Sequence, residues 1–278
     1  MFKHVQERVW AFDAEWVPDP HTGRMVYDLP QDMEPKQVME QMWRRGGGTE
    51  EDPRPYLKTV LCRIVPIAMV GRRVENGEVR LQLNSLPTPA DHEISEAELV
   101  GRFLEGLGKN KPQLVGYNSA SADLRILVQR GVAAGVCAPG FAQRPDKPWE
   151  GVDYFAGNDW HVDLIDTLGG RDRSRPSLHE MATVCGIPGK FYESGGDVAD
   201  MWMAGEVARI VAYNELDALT TYLLWLRVAF FAGFFTAEEY QHEQELVEEL
   251  LRRESAQAGR DHLQAFLDEW TRLRQYYR

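Results

Sequence analysis

The stretch Arg8-Val9-Trp10-Ala11-Phe12-Asp13-Ala14-Glu15-Trp16-Val17 decides the fold. Its aromatic and β-branched residues read as a strand, and the two-residue alternation of a strand sends Asp13 and Glu15 to one face. Two carboxylates about 7 Å apart along a strand repel unless something positive sits between them. A divalent cation with hard oxygen ligands fills that need. A solvated edge strand with two acidic side chains would show the same pattern, so the rest of the chain has to decide.

Two later segments bear on it. Gln113-Leu114-Val115-Gly116-Tyr117 is a short apolar run after Pro112 and passes into Asp123-Leu124-Arg125-Ile126-Leu127-Val128. This reads as strand, tight turn and helix, with Ser119 and Ser121 as caps and Gly131 near the stop. Asp123 then falls at a helix N-terminus, where the macrodipole favours a carboxylate. A lone acid in a first helical turn is common, and this one gains meaning from its company. Further on, Ile210, Tyr213, Leu216, Leu219 and Leu223 recur at helical spacing in a helix from about 205 to 231. Tyr213 and Asp217 are four residues apart on one face. An aspartate in an apolar stripe is costly without a partner, and a bound metal supplies one.

Taken together, Asp13-x-Glu15 on a first strand, Asn118-x4-Asp123 opening a helix and Tyr213-x3-Asp217 on a late helix resemble the three motifs of the DEDD superfamily of 3′-5′ exonucleases, tyrosine branch, on the ribonuclease H-like fold. His161-Val162-Asp163-Leu164-Ile165-Asp166, Ser177-Leu178-His179-Glu180-Met181-Ala182, Cys185-Gly186-Ile187-Pro188-Gly189-Lys190 and the residues after Asp217 are similar to exonucleases akin to the proofreading domain of family B DNA polymerases. The resemblance covers nearly the whole chain and is weakest over 18–58 and 138–158. It implies an α/β fold, a ribonuclease H-like mixed sheet flanked by helices. It also implies two divalent cations, Mg²⁺ or Mn²⁺, with Asp13, Glu15, Asp123 and Asp217 as ligands. Asp13 would bridge both ions, Glu15 and Asp217 would complete the water-activating site, Asp123 would hold the other, and Tyr213 would orient the attacking water.

Two positions depart from the family's pattern. Ala122 stands where an aromatic residue usually precedes the second-motif aspartate, and Trp16 stands where a small polar residue commonly follows the first-motif glutamate. Neither is a ligand. Ala122 changes the wall beneath the substrate end, so it bears on substrate class more than on chemistry. His161 and Asp163, with Tyr213 already in the water-orienting position, read as structural support.

The implied activity is hydrolysis at the 3′ end of single-stranded nucleic acid, DNA before RNA. The alternatives are an RNA-trimming exoribonuclease or a nucleic-acid-binding scaffold that has lost turnover. Trp16, Tyr117 and Asn118 beside the motif ligands, and Arg171, Arg173 and Lys190, are the candidate substrate contacts. A proofreading role would call for a separate polymerase or repair partner. The formal charge of −12 argues against a general phosphate-binding surface. A local basic strip, such as Arg171 to Arg175, Lys190 or Arg44 with Arg45, can coexist with it.

The 278 residues, 44% hydrophobic and 27% charged, can bury a substantial core. Cys62, Cys137 and Cys185 are odd in number, lack metal-ligand spacing and read as reduced residues of a cytoplasmic protein. No signal-type apolar segment and no 18-residue apolar run is present, which excludes a helical membrane span. Residues 1–235 read as the exonuclease domain, with 236–278 as a helical extension packed on it. Within the domain, 18–58 lacks clean periodicity and reads as a flexible insertion near the site, an ordinary disordered loop in preference to a substrate-side lid. A hairpin is expected about Asn76-Gly77, a helix over 95–107, a second long loop over 137–159 and a capping box at Ser177 and Glu180.

Overall fold

The strand read first from the sequence, β1 (Arg8–Pro18), is the middle strand of a five-stranded sheet. It pairs antiparallel with β2 (Cys62–Glu75), which pairs antiparallel with β3 (Glu78–Leu86). On its other side it pairs parallel with β4 (Gln113–Gly116), and β4 pairs parallel with β5 (His161–Asp163). The order is β3-β2-β1-β4-β5, an α/β mixed sheet of the ribonuclease H-like kind. The computed structural model describes residues 2–88, 94–147, 149–156, 159–169, 175–190 and 198–277.

The β2-β3 hairpin turns where Asn-Gly predicts it. Asn76 and Gly77 both have positive φ, 52° and 82°, as a two-residue turn matched to the strand twist requires. Helices then cover both faces of the sheet. On one face Phe12 and Ala14 pack with α3 (Glu96–Asn110) and α4 (Asp123–Ala133), through Phe103, Leu107, Ile126 and Leu127. On the other, Val9 and Ala11 pack with the long α9 (Val207–Phe231), through Leu216, Leu219 and Leu223. A central strand buried on both sides is what its dense apolar and aromatic composition demands. Each fully buried large apolar side chain contributes roughly 1.5–3 kcal/mol, so α9, with Leu219, Tyr222, Leu224 and Trp225 all shielded, is the fold's main anchor. Among the described residues no helix is long and apolar enough to cross a membrane.

The segment 18–58 corrects the sequence reading. It carries two helices, α1 (Pro20–Tyr27) and α2 (Pro35–Arg45), each with proline in its first turn. The Asp19 carboxylate caps α1 by accepting from the His21 N–H at 3.1 Å. Val38, Met39, Met42 and Trp43 of α2 are buried in the first core. An ion-pair cluster ties this layer down: Arg130 of α4 reaches Asp19 at 3.0 Å and Glu96 of α3 at 2.6 Å, and Glu96 accepts the Ile64 N–H at 2.8 Å.

The long loop after α4 holds a short helix, α5 (Pro139–Ala142), and the buried Tyr154, whose hydroxyl donates to the Pro112 carbonyl at 3.0 Å. Three further short helices follow: α6 (Leu164–Leu168), α7 (Leu178–Val184), opened by the Ser177–Glu180 capping box, and α8 (Val198–Met203). The last two helices, α10 (Ala237–Ser255) and α11 (Asp261–Arg274), pack against α9 through Val247, Leu250, Leu263, Phe266 and Trp270. A buried triad fastens α10 to the sheet. Arg72 of β2 pairs with Glu243 at 2.5 Å, and Glu243 also accepts the Tyr222 hydroxyl at 2.8 Å.

Candidate active site

Three carboxylates meet where β1 passes under α9. Asp13, Glu15 and Asp217 each present an oxygen, and these atoms all lie within 4.8 Å of one another. Asp13 and Glu15 are half-buried and Asp217 is buried. The register slips between Ala14 and Trp16 in the β1-β2 pairing, and this irregularity falls at the second carboxylate. Asp217 is carried there by the rigid α9, one turn after Tyr213, whose hydroxyl hydrogen-bonds to it.

Asp123 approaches from the opposite side. It is the first residue of α4, is buried, and its Oδ1 accepts the Ala14 N–H at 3.0 Å, which locks α4 to the strand between the two β1 acids. The helix cap differs from the expectation. Ala122 is the N-cap, and its methyl side chain cannot cap; neither Ser119 nor Ser121 stands at that position, and the Ser119 hydroxyl bonds His161 Nε2 at 2.9 Å. Gly131 also lies within α4, which runs on to Ala133.

The turn that delivers Asp123 is built on Asp163. Its carboxylate accepts the backbone N–H groups of Asn118 at 2.7 Å, Ala120 at 2.9 Å and Ile165 at 3.2 Å. Asn118 is left-handed with φ 62°, and the chain folds back so closely that a Cβ on Gly116 would collide with the Ser119 side chain. His161 is buried beneath it, and burial lowers its pKa to about 4, so the ring is neutral. His161 and Asp163 therefore shape the turn.

The electrostatics are those of acids forced together. Burial pushes the carboxyls of Asp13 and Glu15 well above the usual carboxylate range, and the neighbouring acids push further: Asp123, Asp217 and Glu15 on Asp13, and Asp217 and Asp123 on Glu15. Burial raises Asp123 to about 7 and Asp217 to about 6. Among the described residues little opposes this. Asn214 Nδ2 donates to Asp13 Oδ2 at 2.6 Å, and the Lys190 ammonium acts on Glu15 and Asp217. Burial also raises Tyr213, aided by Asp217, so its phenol keeps its proton. Close carboxylate oxygens with so little positive charge fit a hard dication, whose charge would relieve the repulsion.

The other sequence candidates scatter around this centre. Trp16 is half-buried against the first core and meets Tyr56 edge-on, ring centroids 6.5 Å apart. Tyr117 packs on the second core and its hydroxyl donates to the Pro176 carbonyl, so it joins the turn to the segment before α7. Lys190 is exposed and its N–H donates to His179 Nδ1 at 3.0 Å. Arg171 and Arg173 lie outside the described residues. Arg175, from the same basic strip, faces Asp166 at 4.0 Å. Arg45 donates to the Tyr27 carbonyl at 3.0 Å and stacks over the Tyr27 ring, on the insertion layer.

Two residues of this neighbourhood were not read from the sequence. Asn214 lies between Tyr213 and Glu215 in the third motif; its signal in the sequence is an amide three residues before Asp217 on the same helical face, and the structure buries it fully. Tyr56 sits in the segment read as irregular, which gave no period by which to place it.

Residues 54–270 match the family of predicted 3′-5′ exonucleases related to the exonuclease domain of PolB, and the chain belongs to that family. The match takes in Asp123, Tyr213 and Asp217, while β1 with Asp13 and Glu15 lies before it. No curated protein matches the chain. The family is one of exonucleases, and the chain is accordingly an enzyme acting on nucleic acid.

Proposed function

We propose that the protein is a divalent-metal-dependent 3′-5′ exonuclease of the tyrosine branch, which removes nucleotides from the 3′ end of single-stranded nucleic acid, DNA before RNA. The observation that carries this reading is the convergence of Asp13, Glu15 and Asp217 oxygens within 4.8 Å beside Asp123 and Tyr213. The family's relation to the exonuclease domain of PolB favours DNA.

Asp13, Glu15 and Asp217 would hold one cation, and Asp13 with Asp123 a second. When bound, two such ions supply activation of the attacking water and neutralisation of charge on the leaving oxygen. Asn214 fixes one oxygen of the Asp13 carboxylate and leaves the other free to ligate. The Tyr213 phenol, protonated and held against Asp217, positions the water rather than deprotonating it. Asp163 holds the 117–121 turn from which Asp123 is presented.

The test is Mg²⁺- or Mn²⁺-dependent release of mononucleotides from matched single-stranded DNA, duplex DNA and RNA. Wild-type protein should digest single-stranded DNA fastest, and Asp13→Ala and Asp217→Ala should digest nothing. Equal digestion by wild type and both variants would refute the site.

A further inference from the structure

Tyr56 is a large aromatic side chain left 70% exposed. Its position is not that of a slack loop. Two residues earlier, Arg54 makes two hydrogen bonds to the Asp200 carboxylate of α8, at 2.6 and 3.0 Å, and its guanidinium lies over the Trp43 ring of α2 at 4.9 Å. One residue later, Leu57 is buried against Gly46. The chain is thus pinned on both sides of a ring that it presents to solvent.

That ring rests against β1, the strand that carries Asp13 and Glu15. Trp16, the residue after Glu15, props it edge-on at 6.5 Å and 82°. Burial raises the pKa of the Tyr56 hydroxyl, Cys62 and then Asp123 add to the rise and Arg125 opposes it, and Arg125 is exposed two residues along α4 from Asp123. Ala122, the chain neighbour of Asp123, brings only a methyl group, whereas the 18–58 segment brings the Tyr56 ring.

A nucleic-acid end carries negative phosphate into a neighbourhood already crowded with carboxylates. Contact with the uncharged base adds affinity without adding to that repulsion, and stacking tolerates any base because each has a π face. A tyrosine fixed in place has few torsions left to freeze on binding.

We infer that Tyr56, backed by Trp16, is the platform on which the base of the 3′-terminal nucleotide stacks while its phosphodiester lies at the carboxylates. The inference rests on the exonuclease reading and assigns to it one substrate contact. Tyr56 is a substrate-positioning residue and touches no metal ligand role.

The experiment is steady-state kinetics with Mg²⁺ on single-stranded oligonucleotides of equal length, ending either in a normal nucleotide or in an abasic one. Wild type, Tyr56→Ala, Tyr56→Phe and Asp13→Ala are compared, with melting temperatures to show that each is folded. Tyr56→Ala should raise KM about 5- to 100-fold on normal ends with kcat little changed, and Tyr56→Phe should stay within about twofold of wild type. On abasic ends wild type should lose the same advantage and coincide with Tyr56→Ala. Tyr56→Ala matching wild type on normal ends, or losing as much on abasic ends, would overturn the platform while an inactive Asp13→Ala left the site standing. Full activity in Asp13→Ala would overturn the site, and the platform with it.

Discussion

Glu215 and Asp217 stand two residues apart on α9, both buried, in opposite electrostatic surroundings. Burial pushes the Glu215 carboxyl up, but hydrogen bonds from His262 and Ser85 and the Arg260 guanidinium outweigh burial and hold it below the usual range. Arg260 and His262 each approach to 2.7 Å, and the Ser85 hydroxyl donates to the same group. Burial lifts Asp217 to about 6, with, among the described residues, the Tyr213 hydroxyl and Lys190 pulling back. One helix thus carries an acid whose charge the protein has answered and an acid whose charge it has left open. The first is built for stability, tying α9 to β3 and the start of α11. The second is built to receive a cation.

The comparison breaks most sharply under conservative amides. Asp217→Asn should cut nuclease activity on the order of 10³-fold, while the melting temperature of the metal-free protein holds or rises because a repelling charge is gone. If Asp217→Asn digests as fast as wild type, the contrast has no functional content. Glu215→Gln should do the reverse. It removes the charge that Arg260 and His262 share while Arg260 keeps Glu254 at 2.6 Å, so the loss is about 1–3 kcal/mol, lowering the denaturation midpoint, with turnover of the folded fraction preserved. A melting curve unchanged by Glu215→Gln would show that the cluster stabilises nothing.

Tyr213→Phe sharpens the Asp217 side. Removing the hydroxyl that bonds Asp217 should lower kcat about 10- to 100-fold without weakening divalent-ion binding measured by calorimetry. A loss of ion affinity instead would move Tyr213 from water placement to ligand support.

The smallest effect is on pH. Asp13, Glu15, Asp123 and Asp217 all have higher pKa values folded than unfolded, so folding favours their protonated forms. This penalty is absent below the ordinary carboxylate range and grows as pH rises through about 6 and about 7, where Asp217 and Asp123 ionise. Metal-free protein should therefore lose several degrees of melting temperature over that interval, and Mg²⁺ or Mn²⁺ should restore them at the alkaline end. Glu215, whose folded pKa is depressed, contributes in the opposite sense: its stability is present above the unfolded value and lost on acidification. A melting temperature that rises with pH in the metal-free protein would contradict the open-charge account.

How much of this was legible in the sequence follows from where local rules decide. Asn76-Gly77 sets its own turn, Ser177 and Glu180 their own cap, and the apolar stripe of α9 its own burial, so each was readable from neighbours in the chain. Asp13, Glu15, Tyr213 and Asp217 were readable because strand and helix periods alone assign them faces. Helices α1 and α2 were missed although Asp19-Pro20 is a start signal. They are short, and what holds them is remote: Arg130 on Asp19, and Met39 and Met42 in a core formed by other elements. The cap on α4 failed for the same reason. Ser119 has the chemistry to cap, but the tight turn over 117–121 sets the N-cap three residues later at Ala122, and the Ser119 hydroxyl bonds His161, 42 residues away.

The place of β1 in the sheet has a practical consequence. The family match starts at residue 54, and a clone cut to that boundary would discard the strand lying between β2 and β4. What remained would be a hairpin and a two-stranded piece, each with a raw edge of unpaired N–H and C=O groups. Such a fragment should precipitate rather than yield a smaller nuclease, so any trimmed version of this protein has to begin ahead of Arg8.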